Sequence, residues 1–312
     1  VTAGVPGVGP ADGDALGPER YAEADGVRLC YQSLGDPADP TVLLVGGVGS
    51  PMDWWPADLC VALADLDGPH RRHVVRYDHR DTGRSTTCPP GAPDYTGRDV
   101  TEDALRVLDA AGVRSAHVVG LSMGGAIAQE LALEHPDRVT TATLVATTRA
   151  VSGPDDAELP PSAPELDGLW DGPAPDPADT AALVEAAVAE DRALTGRGTF
   201  DEGRTRAVAT RGVERSIDPT AGGNHFAAEP GEPFAGTLAD IAVPTLVVHG
   251  TEDPLFPGHG EALAAAIPGA RLLLLEGMGH QAPPPETWDV LLPELARHTG
   301  SSDPGAVPRQ DG

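Results

Sequence analysis

Ser122 stands in Gly120-Leu121-Ser122-Met123-Gly124, between an apolar run with strand character and an alanine-rich helical pattern. A serine hydroxyl is a weak nucleophile near neutral pH, so chemistry here needs a base within hydrogen-bond reach and an acid that fixes the base's tautomer. His280, in Gly277-Met278-Gly279-His280, and Asp253, in Gly250-Thr251-Glu252-Asp253-Pro254, are of the right types and follow later apolar runs. Together the three would transfer an acyl group through a covalent serine ester. Gly120 and Gly124, two residues either side of Ser122, leave room for a sharp strand-to-helix turn, a nucleophile elbow. The helix that follows would aim its free N–H groups and positive dipole end at whatever Ser122 attacks.

Other candidates fit less well. Glu252 adjoins Asp253, but its longer side chain and the Asp-Pro turn favour Asp253. The run ending Ala146-Thr147-Thr148 supplies no carboxylate. His249 is expected to point into strand packing, His135 and His298 to sit near helix ends, and His79 to serve as scaffold or pocket. His225 is expected simply to be exposed, a pocket role being the weaker alternative. Acyl transfer also needs two N–H donors for the developing oxyanion. One is Met123, the residue after the serine; the other is Gly47 or Val48 in the loop Gly46-Gly47-Val48-Gly49-Ser50. That loop lacks the spacing and downstream acid of a dinucleotide fingerprint.

The elements that must position these groups alternate. Short apolar runs at 41–45, 73–77, 115–120, 139–146, 245–249 and 271–275 read as strands, that at 41–45 covered on both faces and that at 73–77 buried. Helical patterns occupy 51–66, 99–111, 126–134, 259–267 and 286–298, and 21–34 reads as a hairpin turning at Asp25-Gly26. The order predicts an α/β fold, a mostly parallel sheet with helices on both faces. The alternation stops between 149 and 238, where a Pro/Asp-rich stretch (152–177) precedes helical patterns at 179–193 and 201–214. This segment is read as a helical cap over a core of 21–148 and 239–299. Residues 1–20 and 300–312, rich in Gly, Pro and Asp, are expected to be mobile, dispensable tails. Trp54 and Trp55 are candidates for a substrate pocket between sheet and cap, or equally for core packing.

The chain has 312 residues and a formal net charge of -27, and all its basic residues are arginines, since it contains no lysine. Nucleic acid and anionic membrane surfaces are therefore poor partners. Cys30, Cys60 and Cys88 are an odd number at wide spacings, which indicates neither a disulfide framework nor a zinc site. No basic and apolar leader opens the sequence and no apolar run approaches the ~20 residues of a membrane span, so a soluble cytoplasmic protein is expected. No cofactor or metal is called for. The expected partner is a small-molecule ester, and the oligomeric state is left open.

At this point the chain, over about residues 21–299, resembles the α/β-hydrolase superfamily. The resemblance rests on Gly120-Leu121-Ser122-Met123-Gly124-Gly125, Glu134-His135-Pro136-Asp137-Arg138-Val139 and Gly277-Met278-Gly279-His280, with nucleophile, acid and base in the chain order Ser, Asp, His. More narrowly, Gly35-Asp36-Pro37-Ala38-Asp39-Pro40, the stretch from Arg76 to Thr87, and Ala116 to Gly124 are similar to the aclacinomycin methylesterase family. Glu214-Arg215-Ser216-Ile217-Asp218 and Ala221-Gly222-Gly223 extend the likeness into the insertion. The resemblance implies a cofactor-independent serine esterase acting on a methyl ester of a polycyclic small molecule. Lactone opening, C–C hydrolysis or perhydrolysis on the same triad are alternatives. Families that use an aspartate nucleophile are disfavoured by Ser122, and a non-catalytic binding protein by the completeness of the triad.

Overall fold

The computed structural model describes residues 8–66, 71–151, 158–172 and 175–300. Its centre is an eight-stranded sheet in the order β1-β2-β4-β3-β5-β6-β7-β8. β1 (Arg20–Ala24) and β2 (Val27–Leu34) form an antiparallel hairpin. Asp25 and Gly26 both take positive φ, 53° and 83°, the backbone that a two-residue hairpin turn requires. β2 runs antiparallel to β4 (His73–Tyr77). From β4 onward β3 (Thr41–Val45), β5 (Ala116–Leu121), β6 (Val139–Val145), β7 (Thr245–Gly250) and β8 (Arg271–Leu275) are all parallel.

β4 lies on one side of β3 and β5 on the other, so the chain reverses its direction of travel across the sheet at β3. Loops leaving the C-terminal ends of β3 and β5 therefore diverge and leave a crevice, the usual ligand position in such sheets. The inner strands of the sheet are buried on both sides, while the edge strand β8 leaves Leu272 and Leu274 exposed. Leu43, Val118 and Leu144 pack with α2 (Gly97–Ala110), α3 (Met123–Glu134) and α7 (His259–Ala266). Leu44, Val119 and Val248 pack with α1 (Ala57–Ala64) and α8 (Trp288–Gly300). This double burial explains why the inner strands read as unbroken apolar runs. The helix expected over 51–66 is divided: a 3-10 turn at Met52–Trp54 ends before Pro56, which caps α1.

Between β6 and β7 the described residues add no strand to the sheet. It forms α4 (Thr180–Leu194), α5 (Glu202–Arg215) and the short α6 (Asn224–Ala227). Asp179 and Asp201 cap α4 and α5 by accepting the N–H groups of Ala182 and Arg204. Val184, Val188 and Ala209 form a separate small apolar cluster where α4 meets α5. Parts of the Pro/Asp-rich stretch, and the segments 1–7 and 301–312 expected as tails, lie outside the described residues.

The expectation of a loose N-terminal tail through residue 20 fails over residues 8–19. Leu16 is buried in the core, Gln32 Nε2 donates to the carbonyls of Gly13 (2.8 Å) and Gly17 (3.0 Å), and Ala57 N–H donates to Pro10. One leucine among glycines and prolines gives no periodic signal; what fixes the segment is polar groups far away in sequence.

On the α2–α3 face, Glu130 accepts a short hydrogen bond from the Thr101 hydroxyl. Burial pushes its carboxyl up to about 7, against the pull of that bond and of Arg98. A carboxyl with a higher pKa folded than unfolded favours the folded state while protonated, and that advantage is lost as pH rises through about 7. Glu130→Gln is expected to raise the melting temperature at pH 8.5 by about 2–4 °C and to leave it nearly unchanged at pH 4, as thermal unfolding at the two pH values will show.

Candidate active site

Ser122 is the residue at which β5 becomes α3. Its φ of 53° and ψ of -116° hold it in a backbone region that L-residues rarely adopt. The turn is tight because three glycines permit it. A Cβ on Gly120 would lie 2.0 Å from the Gly124 carbonyl oxygen, one on Gly124 2.2 Å from that of Val45, and one on Gly125 2.6 Å from the Thr147 side chain. α3 begins at Met123, three residues before the expected start, so its first turn opens directly at the serine. Gly125 and Ala126 N–H donate back to the Ser122 carbonyl. Among the described residues no protein acceptor takes the Met123 N–H.

His280 follows β8 and Asp253 follows β7. His280 Nε2 lies 3.0 Å from Ser122 Oγ, and its Nδ1 lies 3.0 Å from Asp253 Oδ2. An ionised carboxylate can only accept, so Nδ1 carries the ring proton and Nε2 is free to accept from the serine hydroxyl. Asp253 Oδ1 takes the N–H groups of Leu255 and Phe256, each at 2.9 Å. Burial alone would raise the Asp253 pKa, but His280, the Phe256 N–H and His249 outweigh it and hold the carboxyl below its ordinary value. The acid is thus charged, buried and fixed in direction. The Phe256 ring stands edge-on to His280 at 5.1 Å and stacks on His259 at 5.1 Å.

The base loop is gripped by the insertion. His280 N–H donates to the Leu194 carbonyl at 2.7 Å, and Thr199 Oγ1 to the Gly277 carbonyl at 3.1 Å. Here the backbones touch: a Cβ on Gly196 would lie 1.9 Å from the Gly277 oxygen, and one on Gly279 2.3 Å from the Gly196 nitrogen.

Gly47, from the loop after β3, lies beside the serine: a Cβ built on it would be 3.6 Å from Ser122 Cβ. The loop is closed by Ser50 N–H donating to the Gly47 carbonyl. Val48 belongs to the same turn, and its carbonyl accepts from the Ser50 hydroxyl at 3.3 Å.

Other candidates are placed differently. Trp55 is 2 % exposed and packs in the core with α1, because it caps the 3-10 turn and faces inward, so the structure does not bring it into a pocket. Trp54 packs against the α4–α5 cluster. His249 is buried, its Nε2 at 2.9 Å from the Phe256 carbonyl, in the strand packing expected of it. His79 is buried under the glycine loop, donating from Nε2 to the Gly46 carbonyl; burial, with His225 nearby, pushes its pKa down to about 3. His225 corrects the expectation of simple exposure: both ring nitrogens are engaged, Nδ1 by Gly49 N–H (2.9 Å) and Nε2 with the Arg80 carbonyl (2.8 Å). Sequence gave no signal for this, since both partners are more than a hundred residues away.

The three cysteines are unpaired and buried, and burial pushes the Cys30 thiol up to about 12 and the Cys60 thiol up to about 11. Among the described residues, ligand atoms of Glu102, Glu134 and His135 lie within 4.8 Å of one another, but Glu134 is already engaged by Arg98 and the Ala235 N–H. Among the described residues no helix is long and apolar enough to cross a membrane.

A parallel sheet with its reversal at β3, and a strained serine opening a helix at that crevice, define an α/β hydrolase. The family model for the alpha/beta hydrolase fold matches residues 40–285, and the chain belongs to that family. It is 36 % identical to rhodomycin D methylesterase DauP of Streptomyces sp. (strain C5) over 286 residues, covering 85 % of this chain and 93 % of that one. It is 35 % identical to rhodomycin D methylesterase DnrP of Streptomyces peucetius with the same coverage. Among solved structures, the enol-lactonase from Burkholderia xenovorans LB400 superposes with a TM-score of 0.65 at 25 % identity, covering 89 % of this chain and 99 % of that one.

Proposed function

We propose that this protein is a carboxylic-ester hydrolase that works through a covalent ester on Ser122. The observation that carries the reading is the unbroken relay Ser122 Oγ, His280 Nε2, His280 Nδ1, Asp253 Oδ2, with 3.0 Å at each step between residues. Ser122 Oγ attacks the ester carbonyl while His280 Nε2 removes its proton. Asp253 keeps the imidazole in the productive tautomer and stabilises the imidazolium. The tetrahedral oxyanion is received by Met123 N–H and by the N–H of Gly47 or Val48. Collapse expels the alcohol, protonated by His280. A water then enters, loses its proton to His280, attacks the acyl carbonyl, and a second collapse restores Ser122 and frees the acid.

The insertion at 149–238 acts as the cap, and the space beneath it selects the substrate. The likeness to two rhodomycin D methylesterases supports a methyl ester of a polycyclic small molecule. Parallel assays on the methyl ester of a polycyclic aromatic acid, its isopropyl ester and p-nitrophenyl acetate test this. Methyl-ester turnover is expected to exceed isopropyl turnover by about tenfold or more, since small differences in a fitted pocket are worth 1–3 kcal/mol. Equal rates on the two would remove the methyl-ester reading while leaving the serine chemistry standing. The enol-lactonase likeness makes a lactone the second substrate class to assay, because ring opening needs the same serine, base and oxyanion donors.

A further inference from the structure

The loop that carries Gly47 and Val48 is pinned from both sides by imidazoles. From beneath, His79 Nε2 donates to the Gly46 carbonyl at 3.1 Å, one residue before Gly47. From the insertion, His225 Nδ1 accepts the Gly49 N–H at 2.9 Å, two residues after Gly47. The two rings meet edge to face with centroids 5.8 Å apart.

Backbone groups settle the proton positions on His225. Gly49 N–H can only donate and the Arg80 carbonyl can only accept, so Nδ1 is bare and Nε2 carries the proton. The ring is therefore a neutral two-ended strut from the Arg80 backbone to the Gly49 backbone.

The strut is itself anchored. Asn224, the preceding residue, is 1 % exposed; its Nδ2 donates to Asp81 Oδ2 (3.0 Å) and the Pro89 carbonyl (3.2 Å), and its Oδ1 accepts the Gly91 N–H (2.6 Å). Gly222, three residues before His225, presses on Gly49, where a Cβ on Gly222 would stand 2.8 Å from Gly49 Cα. Gly49 takes a φ of 64°, a conformation that leaves the loop's course to be set by such contacts.

We propose that His225 is a positioning residue for the oxyanion donor of the Gly47-Val48 turn, contributed by the same insertion that grips the base loop at Leu194 and Thr199. It touches no reacting atom. It holds the Gly49 end of the loop so that the donor N–H beside Ser122 meets the oxyanion without reorganising, the condition under which such donors are effective. The inference rests on the serine-esterase reading above. It adds that the insertion shapes the catalytic machinery as well as choosing substrate.

Three variants test it, because Asn and Gln each mimic one ring nitrogen. His225→Asn places an amide oxygen near the Nδ1 position and preserves the acceptor for Gly49 N–H, whereas His225→Gln reaches towards Arg80 instead; His225→Ala removes both. The readouts are kcat and KM on p-nitrophenyl acetate, and the inhibition constant of an aryl trifluoromethyl ketone, whose serine adduct carries the oxyanion. For His225→Ala and His225→Gln, kcat is expected to fall and the ketone's inhibition constant to rise by about 10- to 100-fold, with KM changed less than about threefold. His225→Asn is expected to stay within about fivefold of wild type in both. Equal behaviour of the Asn and Gln variants would overturn the proposal, as would loss of melting temperature with unchanged kcat and ketone affinity. If the Ala variant does not fold, the Asn-Gln pair decides. Should wild-type protein hydrolyse no ester, the esterase reading fails first; ester turnover that Ser122→Ala abolishes but His225 variants leave intact removes this inference alone.

Discussion

Ser122→Ala is expected to lower kcat on p-nitrophenyl acetate by about 10⁴- to 10⁶-fold, the scale on which removing a serine nucleophile acts in such relays. The loss should be chemical, without unfolding. Ser122 already occupies a positive-φ position that alanine enters at no greater strain, and the turn around it depends on Gly120, Gly124 and Gly125. Among the described residues the hydroxyl is bonded to His280 Nε2, so its removal leaves that imidazole nitrogen without a donor. The variant's melting temperature is expected within about 2 °C of wild type, since less than about 1 kcal/mol is at stake. A steady-state assay together with thermal unfolding checks both halves.

The largest expected effect on stability belongs to Arg215, at the end of α5. Its side chain is 5 % exposed and its guanidinium binds three carboxylates: Asp78 at 2.9 Å, Glu19 at 2.8 Å, and Asp53 in a short contact. Asp78 also accepts the Met52 N–H (2.8 Å) and the Arg84 N–H (3.0 Å) and lies against Gly83, where a Cβ would meet its carboxylate at 2.2 Å. Asp53 is shared with Arg211 and stands 3.8 Å from Arg76. The cluster ties α5 to the loops after β3 and β4 and to the N-terminal segment.

Desolvating so many charges is costly, so the cluster is not in itself a large source of stability. Removing one member is another matter, because Arg215→Ala leaves Asp78 buried without a cation, while Asp53 keeps Arg211. A loss of about 3–5 kcal/mol is expected, measured by urea denaturation. Combining Arg215→Met with Asp78→Asn should recover part of that loss, since the double variant no longer leaves the buried Asp78 carboxylate without a cation. If Arg215→Ala costs less than about 1 kcal/mol, solvent reaches the cluster and its role in holding the insertion is wrong.

The parts of this molecule that sequence exposes most readily are those governed by local pattern. The six apolar runs became the six parallel strands, five of them covered on both faces and the edge strand β8 leaving Leu272 and Leu274 exposed, and the Asp25-Gly26 dipeptide made its turn because both residues accept positive φ. Ser122, Asp253 and His280 were legible for a related reason: each follows a parallel strand, and the C-terminal ends of parallel strands lie along one edge of the sheet. The N-terminal segment was misread as loose because Val8 and Leu16, too far apart for a periodic signal, are its apolar anchors while Gln32 and Glu19 supply its polar ones. Trp55 shows the limit of composition, which cannot say whether an aromatic faces a pocket or a core. His225 and Arg215 show the limit of local reading most clearly. Their partners lie in other parts of the chain, and nothing about a lone histidine or one arginine of a helical pattern announces a backbone strut or a buried ion cluster.

The covalent ester on Ser122 is the claim on which the functional account stands. Folded protein treated with an excess of a p-nitrophenyl alkylphosphonate, followed by intact mass measurement and peptide mapping, tests it directly. A single adduct on Ser122, forming in step with loss of esterase activity and absent in His280→Ala over the same time, is the predicted result. Protein that hydrolyses esters yet carries no adduct on Ser122, or is inactivated by an adduct elsewhere, would contradict it.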